Sequence, residues 1–452
     1  MKEKTAIGTA PIRDARTLGL PKMLILGLQH MFAMFGATVL VPIIVQNQYN
    51  LPLNTQTTLF FAGFGTLFFH VCTRMKVPAF LGSSFAFLGG FAAMGAMDEG
   101  IYAAMSQAEK LQYATGGIVV AGLLYVVLAL IVKAVGVHRV MHFLPPVVTG
   151  PIIILIGLNL APSAVSNAST CWPLAIFSIA VIVAANIWGK GMVKIIPILL
   201  GVVIPYIAAV LCGMVDFSVL DGVAAIGLQP FITDFSGSIA KFDISAILVM
   251  APIAIASMME HIGDMSAISA TVGDNFIEDP GLHRTLIGDG IATAMAGMFG
   301  GPANTTYGEN TGVLVLSRVH DPRVIRLAAL YAILLSFSPA FAVIINTIPS
   351  AIIGGVSFIL YGMISAIGMR NVVENRVDFT NSRNLIIAAV ILVCGLGFSS
   401  GITFQVGGAS ITLTSLAIAA IAGIALNAIL PGNDFEFGKT EHSDNAGNLG
   451  KY

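Results

Sequence analysis

The sequence predicts an all-α, polytopic membrane protein with fourteen membrane-spanning segments. Of its 452 residues, 56% are hydrophobic and only 10% are charged, and the mean hydropathy is +0.89. A soluble domain carries about 25% charged residues, so this surface is not built to face water alone. Apolar stretches of about 20 residues, the length that crosses a bilayer as a helix, recur along the whole chain.

The fourteen segments follow one another without a linker long enough to separate soluble domains. Small polar residues interrupt the third and the tenth segment, and a polar tail follows Pro431. The segments lie near residues 23–45, 53–72, 79–97, 111–134, 141–163, 172–189, 195–215, 244–268, 285–300, 304–317, 324–346, 350–369, 384–400 and 409–430.

Basic residues favour an even number of segments with both termini in the cytoplasm. In that orientation all of the 22 Lys and Arg residues except Lys110 and Lys241 lie on the inner side. Cytoplasmic loops of membrane proteins carry an excess of Lys and Arg, and one span more or fewer would scramble this alternation. The longest outer loop, 216–243, is acidic.

Seven segments per half would give two halves of opposite orientation, and the sequence contains signs of such an inverted repeat. LPPVVTGPIIILIGLNLA (144–161) is similar to IPSAIIGGVSFILYGMISA (348–366), a likeness that apolar segments also reach by chance. The interrupted segments PAFLGSSFAFLGG and PANTTYGENTG stand at matching positions, which points to a transporter's midplane site. The predicted units are a first repeat, a linker, a second repeat and a cytoplasmic tail, at 1–215, 216–243, 244–430 and 431–452.

The two interruptions, GSSFAF (82–87) and NTTYGEN (304–310), are expected to contain extended backbone at membrane depth. Such backbone is tolerated only where protein or a cavity covers its free N–H and C=O groups. Two interruptions that meet would pair as short antiparallel strands in spans 3 and 10. The helices that start after them would direct positive dipole ends at the centre of the protein.

Four carboxylates lie at membrane depth in this map: Glu260, Asp264, Asp289 and Glu309. A charged side chain at the bilayer centre costs about 3 kcal/mol on insertion scales, and no embedded Lys or Arg is available to pair with these four. Each is therefore expected to be hydrogen-bonded, protonated or exposed to a water-filled cavity. Burial favours the neutral, proton-bearing form of a carboxyl group, which is the chemistry that a proton-coupled carrier needs.

Helical spacing separates the roles within EHIGD (260–264). Glu260 and Asp264 are four residues apart and share a helix face, whereas His261 is turned by about 100° and is interpreted as a packed histidine. For Asp264, ligand binding and a helix-to-helix hydrogen bond are equally consistent. Asp289 is interpreted as a structural group that supports the adjoining interruption, with a second proton site as the alternative. His30 is interpreted as a satisfied core histidine.

A small planar ligand with both donors and acceptors fits backbone donors at the interruptions and acceptors on Glu260 and Glu309. A pyrimidine-2,4-dione has two ring N–H groups and two carbonyls, but amides and weak acids fit as well. The sequence has no P-loop, nucleophile elbow, metalloprotease helix or metal-binding spacing, and its four cysteines are scattered. A net charge of −1 gives no bulk attraction to nucleic acid.

The stretches LQHMFAMFGATVLVP, LGSSFAF, EHIGD, DPGLHR and NTTYGENTGVLVLSR together resemble the nucleobase–ascorbate transporter family, also called nucleobase–cation symporter-2. The resemblance extends over roughly residues 20–430 and is strongest to the bacterial uracil permease branch. The family signature is matched by Glu309, Asn310 and Gly312, followed by Ser317 and Arg318, where Ser replaces the usual Thr. Glu at the first signature position is typical of uracil carriers, whereas xanthine and urate carriers usually have Gln.

The resemblance implies fourteen spans in two inverted repeats, usually in a homodimer. It assigns spans 1–4 and 8–11 to a core domain and spans 5–7 and 12–14 to a gate domain. By motif, the carboxylates of Glu260 and Glu309 and the backbone N–H groups of Phe85 and Gly308 would bind a base. The complete implied substrate site is Glu260, Glu309, Phe85, Gly308, Tyr307 and Ser84. The implied proton-coupling or site-supporting residues are His30, Asp264 and Asp289.

The predicted function is proton-coupled import of uracil across the bacterial inner membrane by alternating access, with the proton as coupling ion and no cofactor or metal. The uracil branch often has a second histidine at the place of Asp264, so the proton-carrying group remains open. Xanthine, urate or a broader range of bases is the nearest alternative. An anion transporter of the same fold is a further one, and a membrane-embedded enzyme is the least supported.

Overall fold

The computed structural model describes residues 11–399, 401–406 and 409–432, without the side chains of residues 309, 405, 406 and 409–411. This part of the chain is mostly helical. Its α-helices are α1 (Leu20–Tyr49), α2 (Thr55–Cys72), α3 (Leu88–Ala96), α4 (Gln107–Val135), α5 (Val137–Phe143), α6 (Pro146–Ala168), α7 (Trp172–Ile187), α8 (Met192–Ile195), α9 (Pro197–Leu211), α10 (Pro230–Thr233), α11 (Phe235–Ser238), α12 (Ile244–Met250), α13 (Ile253–Val272), α14 (Leu282–Met298), α15 (Gly308–Ser317), α16 (Pro322–Ser336), α17 (Pro339–Asn346), α18 (Ser350–Glu374), α19 (Ser382–Gly397) and α20 (Ser415–Ile429).

Each predicted segment coincides with one of these helices, with two helices in succession, or with a strand and the helix after it. By length and composition, five described helical stretches suffice to cross a membrane, namely α1, α4, α6, α12 with α13, and α18. The pair α16 and α17, bent by 89°, makes a sixth if it is one span. Prolines explain two breaks, because Pro252 separates α12 from α13 and Pro339 starts α17 in a new direction.

The two interruptions pair with each other, as predicted. Strand β1 (Leu81–Ser83) runs antiparallel to β2 (Asn304–Thr306), with Gly82 opposite Thr305. Threonines on neighbouring helices accept hydrogen bonds from backbone N–H groups that have no partner within this small sheet. The Leu81 N–H donates to Thr66 Oγ1 of α2 at 2.8 Å, and the Asn304 N–H donates to Thr293 Oγ1 of α14 at 3.1 Å. Extended backbone is therefore enclosed by protein, as it must be at membrane depth.

A second strand pair was not predicted. Strand β3 (Ile402–Val406) and strand β4 (Ala409–Leu413) form an antiparallel hairpin that precedes α20. The predicted span at 409–430 is therefore wrong in its first residues, because the helix begins only at Ser415. Thr414 is the reason for that start, since its side chain accepts a hydrogen bond from the Ala417 N–H and caps the helix. The predicted tail lies outside the described residues from 433 onward.

Glycines bring helices close together. The longest helix–helix contact joins α6 to α18, where a Cβ added at Gly157 would lie 2.2 Å from the Tyr361 carbonyl oxygen. At Gly368 an added Cβ would lie 2.6 Å from the Ile154 backbone nitrogen. Without a hydrophobic driving force between helices in lipid, this close backbone contact supplies much of the packing energy.

Candidate functional site

Both strands of the small sheet lead directly into helical turns. After β1, a 3-10 turn begins at Phe85 and continues into α3. After β2, α15 begins at Gly308. The first N–H groups of a helix have no acceptor within that helix and carry the positive end of its dipole. Because the strands run antiparallel, these two sets of helix N-terminal donors lie beyond opposite ends of the sheet, at the residues for which backbone donors were predicted.

Helix α13 passes this sheet with one polar face. The Ser257 hydroxyl lies 3.4 Å from the Ser84 hydroxyl, which follows β1. The Asp264 carboxylate accepts a hydrogen bond from the Thr306 hydroxyl of β2 at 2.8 Å. Residues 257, 260 and 264 share a helix face. Glu260 therefore lies between the two contacts, and it is partly exposed whereas Ser257 and Asp264 are buried.

Helix α18 borders the site from another direction. The buried Phe85 ring meets the Tyr361 ring edge-to-face, with centroids 5.8 Å apart. At Gly308, an added Cβ would lie 3.2 Å from Ile367 Cδ1 and 3.3 Å from Asp264 Oδ1. The start of α15 is therefore held between α13 and α18, and the absent side chain leaves its backbone accessible.

Tyr307 connects the two strands. Its hydroxyl donates to the Ser83 carbonyl oxygen at 2.9 Å and lies 3.4 Å from the Thr38 hydroxyl of α1. Successive side chains along an extended segment point to opposite sides, so Tyr307 faces α1 whereas Thr306 faces α13. The Tyr307 ring thus lies against β1, and its implied place in the substrate site stays a prediction.

Asp289 has a partner that the sequence analysis missed. Its Oδ2 lies 2.8 Å from Nδ1 of His261, and both side chains are fully buried. No Lys or Arg was expected to pair with the embedded carboxylates, and Asp289 is hydrogen-bonded, one of the expected states, to a histidine that was interpreted as packed. Thr293 of the same helix makes two hydrogen bonds to Asn304 of the adjoining interruption, and support of that interruption by Asp289 stays a prediction.

His30 is fully buried in α1, and neither ring nitrogen has a hydrogen-bond partner in the described part of the chain. It is therefore not the satisfied core histidine that was expected. The side chain of Glu309 lies outside the described residues, so its predicted role stays a prediction. In the described ranges, no three His, Cys, Asp or Glu side chains are placed to hold a metal ion.

The sequence itself matches the profile of a permease family over residues 21–404. The chain belongs to this family, the nucleobase–ascorbate transporters. The match includes the small sheet, the polar face of α13 and the His261–Asp289 pair. The family consists of permeases rather than enzymes, in agreement with the predicted class.

Two relatives extend this family assignment over most of the chain. The uracil permease of Bacillus caldolyticus is 39% identical over 446 residues, covering 95% of this chain and 98% of the relative. The uracil permease of Bacillus subtilis (strain 168) is 38% identical over 417 residues, covering 89% and 91%. Among solved structures, the transmembrane domain of a cyanobacterium bicarbonate transporter, BicA, has the same fold at 16% identity, with a TM-score of 0.57 over 91% of this chain and 99% of that one.

Three features of the site were missed by the sequence analysis: the Ser257 contact, the Tyr361 ring and the partner of Asp289. Ser257 had a signal, because it precedes Glu260 by three residues on the same helix face. The sequence contains no such signal for Tyr361 and His261, because each contacts a residue of a different helical segment. A helical pattern indicates which residues share a face but not what that face meets.

Proposed function

We propose that this chain imports uracil across the bacterial inner membrane together with a proton, by alternating access. The observation that carries the proposal is the antiparallel sheet that sets the helix starts at Phe85 and Gly308 beside Glu260. The proposal also rests on relatives named uracil permeases that match nearly the whole chain at 38–39% identity. The protein is accordingly a multi-pass membrane protein.

The donors and acceptors of the site complement a pyrimidine-2,4-dione. An ionised carboxylate only accepts hydrogen bonds, so Glu260 accepts from one ring N–H, and Glu309 is assigned the other ring N–H by its motif. The N–H groups of Phe85 and Gly308 donate to the ring carbonyls at the positive ends of two helix dipoles. The Phe85 ring supplies an apolar contact, while Ser84 and Tyr307 keep the first interruption in place.

Helix contacts support two inverted repeats of seven spans. In such a fold each span of the first repeat corresponds to the span seven places later in the second repeat. Three pairs of observed contacts are related in this way: α4 on α14 with α16 on α2, α7 on α9 with α19 on α20, and α18 on α7 with α6 on α19. The strands β1 and β2, and the helices α6 and α18, are each other's equivalents and are also in contact.

The same contacts support a core domain and a gate domain. The most extensive helix contacts join spans within the group 1–4 and 8–11, such as α4 on α14, or within the group 5–7 and 12–14, such as α6 on α18. Contacts between the groups, such as α13 on α6, are less extensive. In alternating access, the two domains move as rigid bodies at such a boundary and open the site to one side of the membrane at a time. A homodimer, which the family resemblance implies, is part of this proposal.

Proton coupling follows from the embedded carboxylates. Glu260, Asp264 and Asp289 lie inside the helical body, and an ionised carboxylate there is costly unless it is paired or hydrated. Binding of a proton and a neutral base removes that cost and allows the loaded carrier to move. The carrier shifts only when it is loaded or empty, which prevents proton leak.

The decisive experiment is uptake of radiolabelled uracil into proteoliposomes under an imposed inward proton gradient. Glu260→Gln is expected to lower uptake by about 10- to 100-fold, because a neutral amide oxygen is a weaker acceptor for the ring N–H than a charged carboxylate. Glu278→Gln is the matched control, since this glutamate is exposed outside the site and should transport like the wild type. Wild-type uptake by the Glu260 variant would reject its assigned role.

Competitors and currents separate the alternatives. Unlabelled xanthine or urate that displaces uracil at equal concentration would move the assignment to a broader base range. Uptake that persists unchanged with a proton uncoupler would reject proton coupling. Chloride or sulfate currents without uracil uptake would favour an anion transporter of this fold.

A further inference from the structure

His261 lies in a hydrogen-bonded array that links α13 to α14. Its Nδ1 is 2.8 Å from Asp289 Oδ2, and its Nε2 is 3.0 Å from Thr285 Oγ1. Thr285 and Asp289 are four residues apart and therefore share the face of α14 that meets His261. Thr285 Oγ1 in turn lies 3.0 Å from the Leu282 carbonyl oxygen, to which it donates. All three side chains of the array are fully buried.

These contacts determine how many protons the array holds. A threonine hydroxyl has one hydrogen, and here the Leu282 carbonyl, which only accepts, takes it. The Thr285 oxygen therefore accepts from His261, so Nε2 carries a hydrogen. The remaining contact, between Nδ1 and Asp289, contains one further proton on either atom. The pair is then neutral overall, either as imidazolium with carboxylate or as imidazole with carboxylic acid.

Loss of one proton has a structural consequence. The imidazole then keeps a single hydrogen, directed at Asp289, and the Nε2 lone pair faces the Thr285 oxygen. The Thr285 hydroxyl must leave the Leu282 carbonyl and rotate toward Nε2. The pair also acquires a net negative charge at a fully buried position, where charge is costly, and this favours entry of water between α13 and α14.

We propose that the His261–Asp289–Thr285 array is the site that holds the transported proton. The inference rests on the proposed function, and it assigns the proton to the side of α13 next to the substrate residue Glu260. Loading keeps α13 and α14 together and holds Glu260 toward the sheet. The proton enters the array from the outer side and is released to the cytoplasm when hydration opens the contact between α13 and α14.

Other ionisable groups lie near the array but are not members of it. On α13 these are Glu260 and Asp264, and on α4 the buried Tyr125 has its ring 6.4 Å from that of His261. On α2, Phe69 meets the His261 ring, and the neighbouring His70 contacts the Ala79 carbonyl oxygen. Further along, Cys72 of α2 accepts a hydrogen bond through its carbonyl from Arg284 of α14.

The test compares two reactions of the full chain in proteoliposomes. Exchange of labelled for unlabelled base at equal pH needs binding and movement but no net proton transfer, whereas accumulation under a pH gradient needs both. For Asp289→Asn and His261→Gln we expect exchange within about threefold of wild type and accumulation lowered by about tenfold or more, the effect of losing a charged hydrogen bond. Protons moved per base, recorded with a pH dye, should fall toward zero.

Substitutions of Thr285 test whether its oxygen accepts a hydrogen bond from His261 Nε2. Thr285→Val removes the acceptor for Nε2–H at constant size, so the pH of half-maximal uptake should shift lower by about one unit. Thr285→Ser should restore the wild-type profile. His70→Gln is the control, since this buried histidine has a backbone partner and should leave the ratio of protons to base unaltered.

The outcomes separate the two proposals. An unaltered proton-to-base ratio in the Asp289 variant, or an equal fall of exchange and accumulation in folded protein, would overturn the proton site and leave uracil transport standing. If the wild type exchanges another base of the panel but not uracil, the uracil assignment fails and the same comparison is made with that base. Wild-type exchange that a pH gradient never drives would overturn the proton site.

Discussion

At the scale of single residues, Gly82 leaves no room for a side chain beside the Tyr307 ring. A Cβ added at Gly82 would lie 2.3 Å from Tyr307 Cζ and 2.7 Å from its hydroxyl. Tyr307 cannot retreat without giving up its hydrogen bond to the Ser83 carbonyl. Glycine at position 82 is therefore what allows one tyrosine to connect both interruptions.

Gly82→Ala is expected to lower the free energy of unfolding by about 1–3 kcal/mol, the usual cost of overpacking, and to weaken uracil binding by displacing β2. Thermal unfolding in detergent and equilibrium binding of labelled uracil measure the two effects. Gly89→Ala in α3 is the matched control, because an added Cβ there meets nothing within 4 Å. Equal stability and affinity for both variants would contradict this account of the Gly82–Tyr307 contact.

Single residues also mark the limit of the sequence analysis of the site. The spacing within EHIGD placed Glu260 and Asp264 on one face, and the structure has that face against the small sheet. The same spacing correctly predicted that His261 is turned away from Glu260. It suggested that His261 is only packed, whereas the structure shows that it is also hydrogen-bonded. Its partner Asp289 is 28 residues further along the chain, and only the packing of α13 on α14 brings them together.

At the scale of elements, the contact between α6 and α18 depends on glycine backbone. Gly368→Ala would place a Cβ 2.6 Å from the Ile154 nitrogen, where backbone on both sides leaves no flexible atom to move. We expect a loss of about 1–3 kcal/mol in the free energy of unfolding. Gly362→Ala in the same helix is the control, since nothing lies within 4 Å of an added Cβ. Unfolding midpoints in detergent compare them, and a Gly362 variant as destabilised as the Gly368 variant would refute the contact argument.

Element types were predictable where apolar length or polar interruption decided them. The pairing of β1 with β2 followed from the matched positions of two interrupted segments. The hairpin β3–β4 was missed because its second strand falls at the beginning of the predicted span at 409–430, and hydropathy does not separate a strand from the start of a helix. The capping contact of Thr414 with Ala417 was the local signal for the later start of α20.

At the scale of the whole molecule, charge distribution is the feature from which the orientation is predicted. Ion pairs join the residues before α1, the turn after α2 and the segment after α13: Arg13 with Asp274, and Lys76 with Asp279. Arg323 at the start of α16 pairs with Asp14. All these residues belong to the inner face in the predicted orientation, so they gather on one side of the protein as fourteen alternating spans require.

The orientation itself is tested by labelling cysteines from one side of the membrane. Cys212 is exposed after α9 on the predicted outer face, and Asn375 is exposed after α18 on the predicted inner face. Two single-cysteine variants, one retaining Cys212 and one with Asn375→Cys, are treated with a membrane-impermeant maleimide in intact cells and after lysis. We expect Cys212 to react in intact cells and Asn375→Cys to react only after lysis, because an odd number of spans separates the two positions. Reaction of both cysteines in intact cells would place both loops outside. It would exclude the predicted order of seven spans before Cys212 and five spans between Cys212 and Asn375.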